Sequence, residues 1–236
     1  MIKIIGNGLI ANAFKNTKES TKKDIILFCS GVSNSNEKLE SEFKREQQLL
    51  ENQLRENNNI CFIYFSSILV SKPNTLYLKH KFNMEILVKR LSSNYIIIRL
   101  PQLAGNVYNT TLFPTFIENI YLNKNITIYT DSIRNIIDVD DVVRICFNII
   151  DANDFNQTID ICACNDVSPA DLAKIISTIL NKEIYITFLD KSSIQLCDKS
   201  KIKKYLSIND ILFDHSYTEK IVSKYIFNVI NLIKAK

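Results

Sequence analysis

Residues 2–11 read Ile-Lys-Ile-Ile-Gly-Asn-Gly-Leu-Ile-Ala, and this stretch decides the fold. The β-branched run before Gly6 predicts a short strand, and residues 9–15 predict a helix directly after it. The spacing Gly6-x-Gly8-x-x-Ala11 is typical of a turn that lets the backbone approach a diphosphate at a helix N-terminus. A tight turn without a ligand is the alternative. We predict a dinucleotide-binding turn whose ligand contacts are Gly6, Asn7, Gly8, Leu9 and Ile10.

Buried strands alternate with helices after this turn. Continuous apolar runs are typical of parallel strands that are covered on both faces, and such runs occur at 24–29, 60–65 and 95–100. The order βαβαβαβ predicts an α/β fold with a Rossmann-like, doubly wound parallel sheet. Helices are predicted at 36–57 and 77–91, the first with an inner stripe of Leu39, Phe43, Leu49, Leu50 and Leu54.

The sheet is predicted to be shortened. Only residues 16–23 separate the first helix from the next strand, so the second and third strands of a full Rossmann sheet have no room. The acidic residue that normally ends the second strand and holds the adenine ribose is therefore missing. Either the protein makes fewer contacts to the adenine part of the dinucleotide, or lysines of this segment bind a ribose 2′-phosphate. A solvated lysine-rich loop without a ligand is the alternative. These lysines are Lys15, Lys18, Lys22 and Lys23.

Beyond Gly105, the regular alternation of buried strands and helices changes. Ser168 and Asp171 form a capping box that predicts the start of a helix. We predict that residues 1–105 plus about 136–165 form a dinucleotide-binding core, and that about 106–135 and 166–236 form a small α/β substrate lobe. The predicted helices are 112–122, 139–151, 168–180 and 217–234, and the predicted strands are 126–129, 158–162 and 184–188.

Composition excludes several classes of protein. The 29 Lys+Arg against 25 Asp+Glu give a net charge of only +4, too small to indicate a nucleic-acid partner. Two His and six Cys without a CxxC pair predict no metal site. No apolar stretch approaches ~20 residues and no signal peptide opens the chain, so we expect no membrane partner and a cytoplasmic location.

Candidate chemistry follows the strand at 60–65. That strand ends in Ser66-Ser67, and Tyr77 and Lys81 then lie one helical turn apart on one face. An ammonium beside a phenol favours phenolate, so we expect Lys81 to lower the pKa of Tyr77 towards neutrality. Such a tyrosine can exchange a proton with a sugar hydroxyl or carbonyl while a nicotinamide exchanges hydride. An ordinary pair of helix-surface side chains is the alternative.

At these residues the chain resembles the extended short-chain dehydrogenase/reductases, the NAD-dependent epimerase/dehydratase family. Segments 28–35 (FCSGVSNS), 96–105 (IIIRLPQLAG), 132–142 and 158–176 resemble further parts of that family, in order. The resemblance implies that Ser67 is a catalytic hydroxyl, that Tyr77 is the acid/base, and that Lys81 binds the nicotinamide ribose. It also implies NAD or NADP contacts at Ser30, Gly31, Val32 and Pro101, and substrate contacts at Ser33, Asn34, Ser67, Gln102 and Arg134.

Departures from the family pattern narrow the reaction. Ile68 and Leu69 stand where the 4,6-dehydratases of the family carry an Asp-Glu pair, which argues against dehydration. Residues 66–74 contain no Cys, which argues against 3,5-epimerisation. Ile5 replaces the first Gly of the usual three, and the ten-residue step from Ser67 to Tyr77 is shorter than usual. C4 epimerisation and reduction of a 4-keto sugar both stay open.

Two hypotheses follow from the sequence. In the first, the chain is an NAD(P)-dependent epimerase or 4-ketoreductase that acts on a nucleotide-linked sugar for surface polysaccharide synthesis. In the second, it is a non-catalytic nucleotide-sugar or dinucleotide binder on a degenerate Rossmann fold. The shortened adenine side favours the second, and retention of Ser67, Tyr77 and Lys81 favours the first. The sequence leaves open whether the chain forms a homodimer.

Overall fold

The computed structural model describes residues 1–57, 59–206 and 214–235. Short 3-10 helices occupy Ile68–Ser71 and Ile202–Tyr205. The strands are β1 (Ile2–Ile5), β2 (Ile25–Phe28), β3 (Cys61–Ser67), β4 (Tyr95–Leu100), β5 (Gln102–Ala104), β6 (Asn125–Ile133), β7 (Ile136–Asp138), β8 (Gln157–Asp160) and β9 (Tyr185–Ile194). The α-helices are α1 (Leu9–Asn16), α2 (Glu40–Glu56), α3 (Leu76–Leu91), α4 (Leu112–Tyr121), α5 (Val139–Asp151), α6 (Pro169–Leu180) and α7 (Tyr217–Lys234).

The main sheet is parallel throughout, with strand order β1-β2-β3-β4-β8. Helices α2 and α3 cover one face, where Leu50, Leu54 and Val88 pack in one cluster with residues of β2, β3 and β4. Helices α1 and α5 cover the other face, where the Phe14 ring lies 5.9 Å from that of Phe65 and 5.7 Å from that of Phe147. The predicted α/β class, with a shortened Rossmann-like sheet covered on both faces, is confirmed.

The first two crossovers of the main sheet differ in hand. Strands β1, β2 and β3 follow one another across the sheet in chain order, yet α1 and α2 lie on opposite faces. The β1-α1-β2 and β2-α2-β3 units therefore have opposite hands, although such crossovers are almost always right-handed. Residues 17–24 supply no further strands, so β1 lies at the edge of the described sheet.

The chain divides into two compact units. The first contains Met1–Leu100, Val142–Ile161 and Asp198–Ser207, and the second contains Pro101–Asp141, Cys162–Cys197 and Ile208–Lys236. In the second unit, β6 pairs with β9 and β5 pairs with β7, both in parallel, and α4, α6 and α7 pack together. These bounds differ from the predicted ones, since β5 and β7 lie in the second unit and residues near 200 lie in the first.

Helix α2 differs from its prediction in one important way. Leu39 was expected on the inner stripe, but it precedes the helix with an extended backbone and is 62% exposed. Glu46 instead lies on that stripe, in helical phase with Leu50 and Leu54, and it is fully buried. No helix of the described residues is long and apolar enough to cross a membrane.

Candidate functional site

The candidate site lies in the first unit, at the carboxyl edge of its parallel sheet. Parallel strands bring the segments that follow them to one edge, so the turn after β1 and the loops after β2 and β3 lie side by side. The Cys29 amide donates to the Ile5 carbonyl at 2.7 Å, which fixes the glycine turn against the loop after β2. Ligands of open α/β sheets bind at this edge.

The two glycines of the turn serve different purposes. Gly6 has φ +121°, and a Cβ there would lie 2.6 Å from the Cys29 carbonyl oxygen, so the fold itself requires glycine. Gly8 has an ordinary φ of −76°, and a Cβ there would meet no atom within 4 Å. Neither backbone conformation nor packing explains Gly8. Open space beside it, at an N-terminus of α1 that no side chain caps, fits a bound diphosphate.

Two of the four lysines that were predicted to meet a 2′-phosphate already form hydrogen bonds within the protein. Lys15 donates to the Gly6 carbonyl at 3.2 Å and to the Asn7 amide oxygen at 2.9 Å. Lys23 donates to the Ile150 carbonyl at 2.6 Å, near the C-terminus of α5. Its ammonium is therefore occupied at a helix end, where a cation is favourable, and is not free to meet a 2′-phosphate.

Tyr77 lies in the first turn of α3. The Thr75 hydroxyl caps this helix by accepting from the Leu78 amide at 3.2 Å, which sets where the helix begins. Lys81 follows Tyr77 by one turn, and its ammonium lies 6.0 Å from the centre of the Tyr77 ring. The structure thus brings the two side chains of the predicted pair together on one face of α3.

Lys81 is buried and ion-paired. Its side chain is only 4% exposed, and its ammonium donates to Glu46 Oε1 at 3.1 Å and to the Tyr64 hydroxyl at 3.2 Å. A Cβ on Gly31 would collide with the same ammonium, so the glycine of the loop after β2 makes room for it. The alternative of an exposed surface pair is wrong for Lys81.

Glu46 is the centre of this cluster. Oε1 also accepts from the Tyr64 hydroxyl at 2.7 Å. Oε2 accepts from the Val32 amide at 2.6 Å and lies 3.0 Å from His80 Nε2. We call Glu46, Tyr64, His80 and Lys81 the Glu46 cluster. Sequence analysis missed Glu46, Tyr64 and His80, and the one available signal was a carboxylate at a helical-stripe position.

The cluster determines the electrostatics of the site. Burial raises the pKa of Glu46, but the Lys81 ammonium, His80 and the Val32 amide favour the carboxylate, and the net pKa is lowered to about 2. Burial raises the pKa of Tyr77; Lys81 lowers it, and Glu46 raises it again. The net shift is upward, so the expectation that Lys81 brings this pKa towards neutrality does not hold for the protein alone.

Two serines end β3. Ser67 Oγ accepts from the Leu69 amide at 3.3 Å and so caps the 3-10 helix that follows the strand. Ser66 is 7% exposed, and its Oγ has no hydrogen-bond partner. Successive side chains of a strand point to opposite faces, so Ser66 shares the face of Tyr64, which α2 and α3 cover. The hydroxyls of Ser66 and Ser67 both lie at the carboxyl end of β3, where the catalytic hydroxyl is predicted.

The loop after β2 holds the other predicted contacts of this unit. Arg45 donates to the Ser30 carbonyl at 3.3 Å, and Val32 is buried with its amide committed to Glu46. Ser33 and Asn34 are exposed, and the Asn34 carbonyl accepts from the Glu37 amide at 3.1 Å in a turn.

Pro101, Gln102 and Arg134 belong to the second unit. With its amide oriented to satisfy its neighbours, Gln102 accepts from the Leu112 amide at 2.8 Å and so caps α4. The Arg134 guanidinium donates to the Ile133 carbonyl at 2.9 Å and to Ser193 Oγ at 2.9 Å. Burial lowers the pKa of Arg134 from its ordinary value. The hydrogen-bond partners of this guanidinium among the described residues are therefore uncharged oxygens.

No group of three or more His, Cys, Asp or Glu side chains that could hold a metal ion occurs in the described part of the chain. No curated protein matches the sequence. The NAD dependent epimerase/dehydratase family matches residues 62–162, a stretch that includes Ser67, Tyr77, Lys81 and Arg134. The resemblance found in the sequence is therefore confirmed over that range.

Solved structures share the fold. A dTDP-4-dehydrorhamnose reductase ortholog from Clostridium acetobutylicum is 16% identical, with a TM-score of 0.75, and the match covers 99% of both chains. The reductase from Bacillus anthracis in complex with NADP is 15% identical, with a TM-score of 0.72 and coverage of 96% of this chain and 98% of that one. A Bacillus cereus UDP-glucuronic acid 4-epimerase with NAD is 16% identical, with a TM-score of 0.72 and coverage of 89% and 76%.

Proposed function

With residues 62–162 matching the NAD dependent epimerase/dehydratase family, we propose that this chain is an NAD(P)-dependent epimerase or 4-ketoreductase of nucleotide-linked sugars. Its reaction is epimerisation at C4 or reduction of a 4-keto sugar. One observation carries the proposal: Tyr77 and Lys81 face each other one helical turn apart, 6.0 Å from ammonium to ring centre, beside the carboxyl end of β3.

The residues at the sheet edge fit a dinucleotide. The space beside Gly8 and the uncapped N-terminus of α1 would take the diphosphate, with Gly6, Asn7, Leu9 and Ile10 around it. Ser30, Gly31 and Val32 would line the nicotinamide side together with Lys81. In the second unit, Pro101 is the remaining proposed cofactor contact. The unpartnered Ser66 hydroxyl, buried at the same edge, fits a polar ligand group.

Tyr77 moves the proton in either reaction. A bound nicotinamide supplies or accepts the hydride at C4. In reduction, the Tyr77 phenol gives its proton to the oxygen of the 4-keto group as the carbonyl carbon receives hydride, and the product is the C4 alcohol. In epimerisation, Tyr77 first takes the O4 proton as C4 loses hydride, and then returns it after the sugar has turned over. Ser67 donates a hydrogen bond to the same oxygen.

Lys81 and Arg134 hold the reactants in this proposal. Lys81 binds the ribose hydroxyls beside the reacting ring, and its charge favours the Tyr77 phenolate. Arg134 pairs with the substrate diphosphate, since a guanidinium matches two phosphate oxygens at once. Ser33, Asn34, Ser67 and Gln102 are the further substrate contacts that we propose.

The length of the match supports the reductase form of the proposal. The reductase ortholog and this chain each cover 99% of the other, whereas the chain covers 76% of the epimerase. We extend the proposal to a cytoplasmic enzyme of surface polysaccharide synthesis, as the sequence analysis predicts. We keep the homodimer as a prediction, which light scattering on the purified protein tests.

A non-catalytic nucleotide-sugar or dinucleotide binder is the second candidate. The ion pair between Lys81 and Glu46 favours it, because this carboxylate offsets the charge that would otherwise lower the pKa of Tyr77. The open turn at Gly8 fits both candidates.

Turnover separates the two candidates. The purified protein is incubated with UDP- and dTDP-linked hexoses and with a dTDP-4-keto-6-deoxyhexose, each with NAD⁺, NADH or NADPH. Absorbance at 340 nm reports reduction, and proton NMR of the sugar reports a change at C4. Turnover that is lost in Tyr77→Phe supports the enzyme. Binding of cofactor and nucleotide sugar without any turnover in this panel supports the binding protein.

A further inference from the structure

The Glu46 carboxylate ties together three elements that approach the proposed cofactor site. It accepts from the Val32 amide of the loop after β2, from Tyr64 of β3, and from Lys81 of α3, at 2.6, 2.7 and 3.1 Å. His80 Nε2 lies 3.0 Å from the same carboxylate. Its acceptor positions are thus filled by groups that are far apart in sequence.

Burial of this carboxylate is costly, which indicates a specific purpose. Glu40 and Glu51 of the same helix form ion pairs at the surface with Lys44 and Arg55. Glu46 is instead fully buried, and a buried charge is tolerated only where it is paired and fully hydrogen-bonded. An apolar residue in phase with Leu50 would serve packing alone equally well.

We propose that Glu46 is a positioning residue, which locks the Lys81 ammonium and the loop 30–32 into the arrangement that receives the cofactor. The inference rests on the proposed function of the Tyr77 and Lys81 pair. Glu46 itself touches neither substrate nor reacting atoms in this proposal. It acts through Lys81 and through the Val32 amide.

The charges around Tyr77 indicate in which direction Glu46 shifts the pKa of Tyr77. The groups that face the carboxylate are Lys81 and His80 from α3 and Tyr64 from β3. Lys81 lowers the pKa of Tyr77 and Glu46 raises it, so the carboxylate moderates what the ammonium alone would do. Neutralising Glu46 therefore removes one contribution that raises the pKa of Tyr77.

The first test observes Lys81 directly, without any need for turnover. A buried, hydrogen-bonded ammonium exchanges its protons slowly enough to give a proton–nitrogen-15 NMR signal, which the Lys81→Met variant assigns. We expect this signal in the wild-type protein and in Glu51→Gln, a control on the same helix, and its loss in Glu46→Gln. A signal that persists unchanged in Glu46→Gln overturns the positioning of Lys81 by Glu46.

The second test measures cofactor binding and the pH profile. In Glu46→Gln an amide NH₂ must face either the Val32 amide or Lys81, so one donor loses its acceptor and we expect the Kd for NAD(H) or NADP(H) to rise at least ~3-fold. In the pH profile of kcat/KM, the limb that reports the ionisation of Tyr77 should move to lower pH. A merely structural glutamate would lower stability and leave both the Kd and this limb unchanged, which would overturn the proposal.

A conservative variant, Glu46→Asp, tests the proposal if Glu46→Gln does not fold. Glu46→Asp keeps the charge, but its shorter side chain cannot reach the Val32 amide and Lys81 together. We expect weaker cofactor binding with the pH limb nearer that of wild type, and wild-type values for the Kd and the Lys81 signal would overturn the proposal. Failure of the proposed function looks different: the wild type then turns over no sugar, while the Lys81 signal and its loss in Glu46→Gln remain measurable.

Discussion

Glu46 and Lys81, which are 35 residues apart in the sequence, form an ion pair at 3.1 Å in which neither side chain is more than 4% exposed. Their pairing places a helix that covers the sheet in contact with the helix that carries Tyr77. Lys81, which was predicted to act on Tyr77, is therefore also the cation of a buried ion pair with Glu46.

Acid stability should report this pair. The pKa of Glu46 is lowered from 4.5 to about 2 on folding, so its stabilising contribution is complete above about pH 4.5 and is lost as pH falls towards 2. We expect Glu46→Gln to lower the free energy of unfolding at neutral pH by about 3 kcal/mol, because it leaves Lys81 buried without a counter-charge.

The measurement is the unfolding midpoint of wild type and variant at several pH values from 7 down to 2. The two should converge as the pH falls through that window, whereas Glu51→Gln should follow the wild type throughout. Curves for Glu46→Gln and wild type that stay parallel would contradict the assignment.

Tyr77→Phe should remove the proton transfer and leave the fold intact. We expect turnover to fall at least ~10²-fold, the usual scale for one acid/base group. Tyr95→Phe is a matched control, because Tyr95 begins β4 at the opposite edge of the sheet. The measurement is kcat on the active nucleotide sugar, with circular dichroism for the fold. Near-full activity of Tyr77→Phe would contradict the role of Tyr77 as the acid/base.

Sequence analysis predicted those parts of the fold that depend on local pattern. The runs in β2, β3 and β4 are apolar at nearly every position because both faces of the sheet are covered, and a continuous run is visible without any partner. The bounds of α5 were predicted to the residue and those of α7 approximately. Strand β9 was predicted too short, since most of its side chains are exposed and residues 190–193 are polar.

The Glu46 cluster shows why the rest was not predictable. A glutamate on a charged helix is normally solvated, and the helical phase that Glu46 shares with Leu50 was the only local signal of its burial. Its partners Val32, Tyr64 and Lys81 are 14, 18 and 35 residues away, so only the packing of α2 on the sheet creates the site. The Tyr77 and Lys81 pair was predicted because its spacing lies within one helical turn.

The two glycines of the turn give a matched pair of variants. Gly8→Val should fold like wild type, since a Cβ there meets nothing within 4 Å, and should lose cofactor binding because the side chain fills the space of the diphosphate. Gly6→Ala should destabilise the fold, because φ is +121° and the Cβ would collide with the Cys29 carbonyl. Calorimetry with NAD(H) and NADP(H) and thermal melting provide the measurements. Equal cofactor affinity in wild type and Gly8→Val would mean that the turn is structural only.

Arg134→Gln should weaken substrate binding selectively. A diphosphate contact acts equally in the ground state and the transition state, so we expect KM for the nucleotide sugar to rise at least ~10-fold with kcat little changed. Arg134→Lys should not restore KM, because an ammonium cannot pair bidentately with phosphate. Arg55→Gln is the control, since Arg55 pairs with Glu51 on the surface of α2. An unchanged KM would assign Arg134 to its contacts with Ser193 alone.

Cofactor preference follows from the strands that are missing between α1 and β2. A full Rossmann sheet selects NAD with an acidic residue on the ribose 2′-hydroxyl, and residues 17–24 contain no strand that could place one. Lys15 and Lys23 are committed to the glycine turn and to the C-terminus of α5, which leaves Lys18 and Lys22 exposed in this segment. The carboxylates of this segment, Glu19 and Asp24, lie outside any strand, so we expect neither to be held against a 2′-phosphate.

We therefore expect NADP(H) to bind at least as tightly as NAD(H), with both bound weakly because the adenine loses one wall of its pocket. Any advantage of NADP(H) should shrink at high salt, which screens exposed lysines, and also in the Lys18→Gln/Lys22→Gln double variant. Lys89→Gln, on the exposed side of α3, is the control. Titration of both cofactors at two salt concentrations measures this. A strong NAD preference that persists at high salt would refute the expectation and would move adenosine recognition to other residues, with Ser33 and Asn34 the first to substitute.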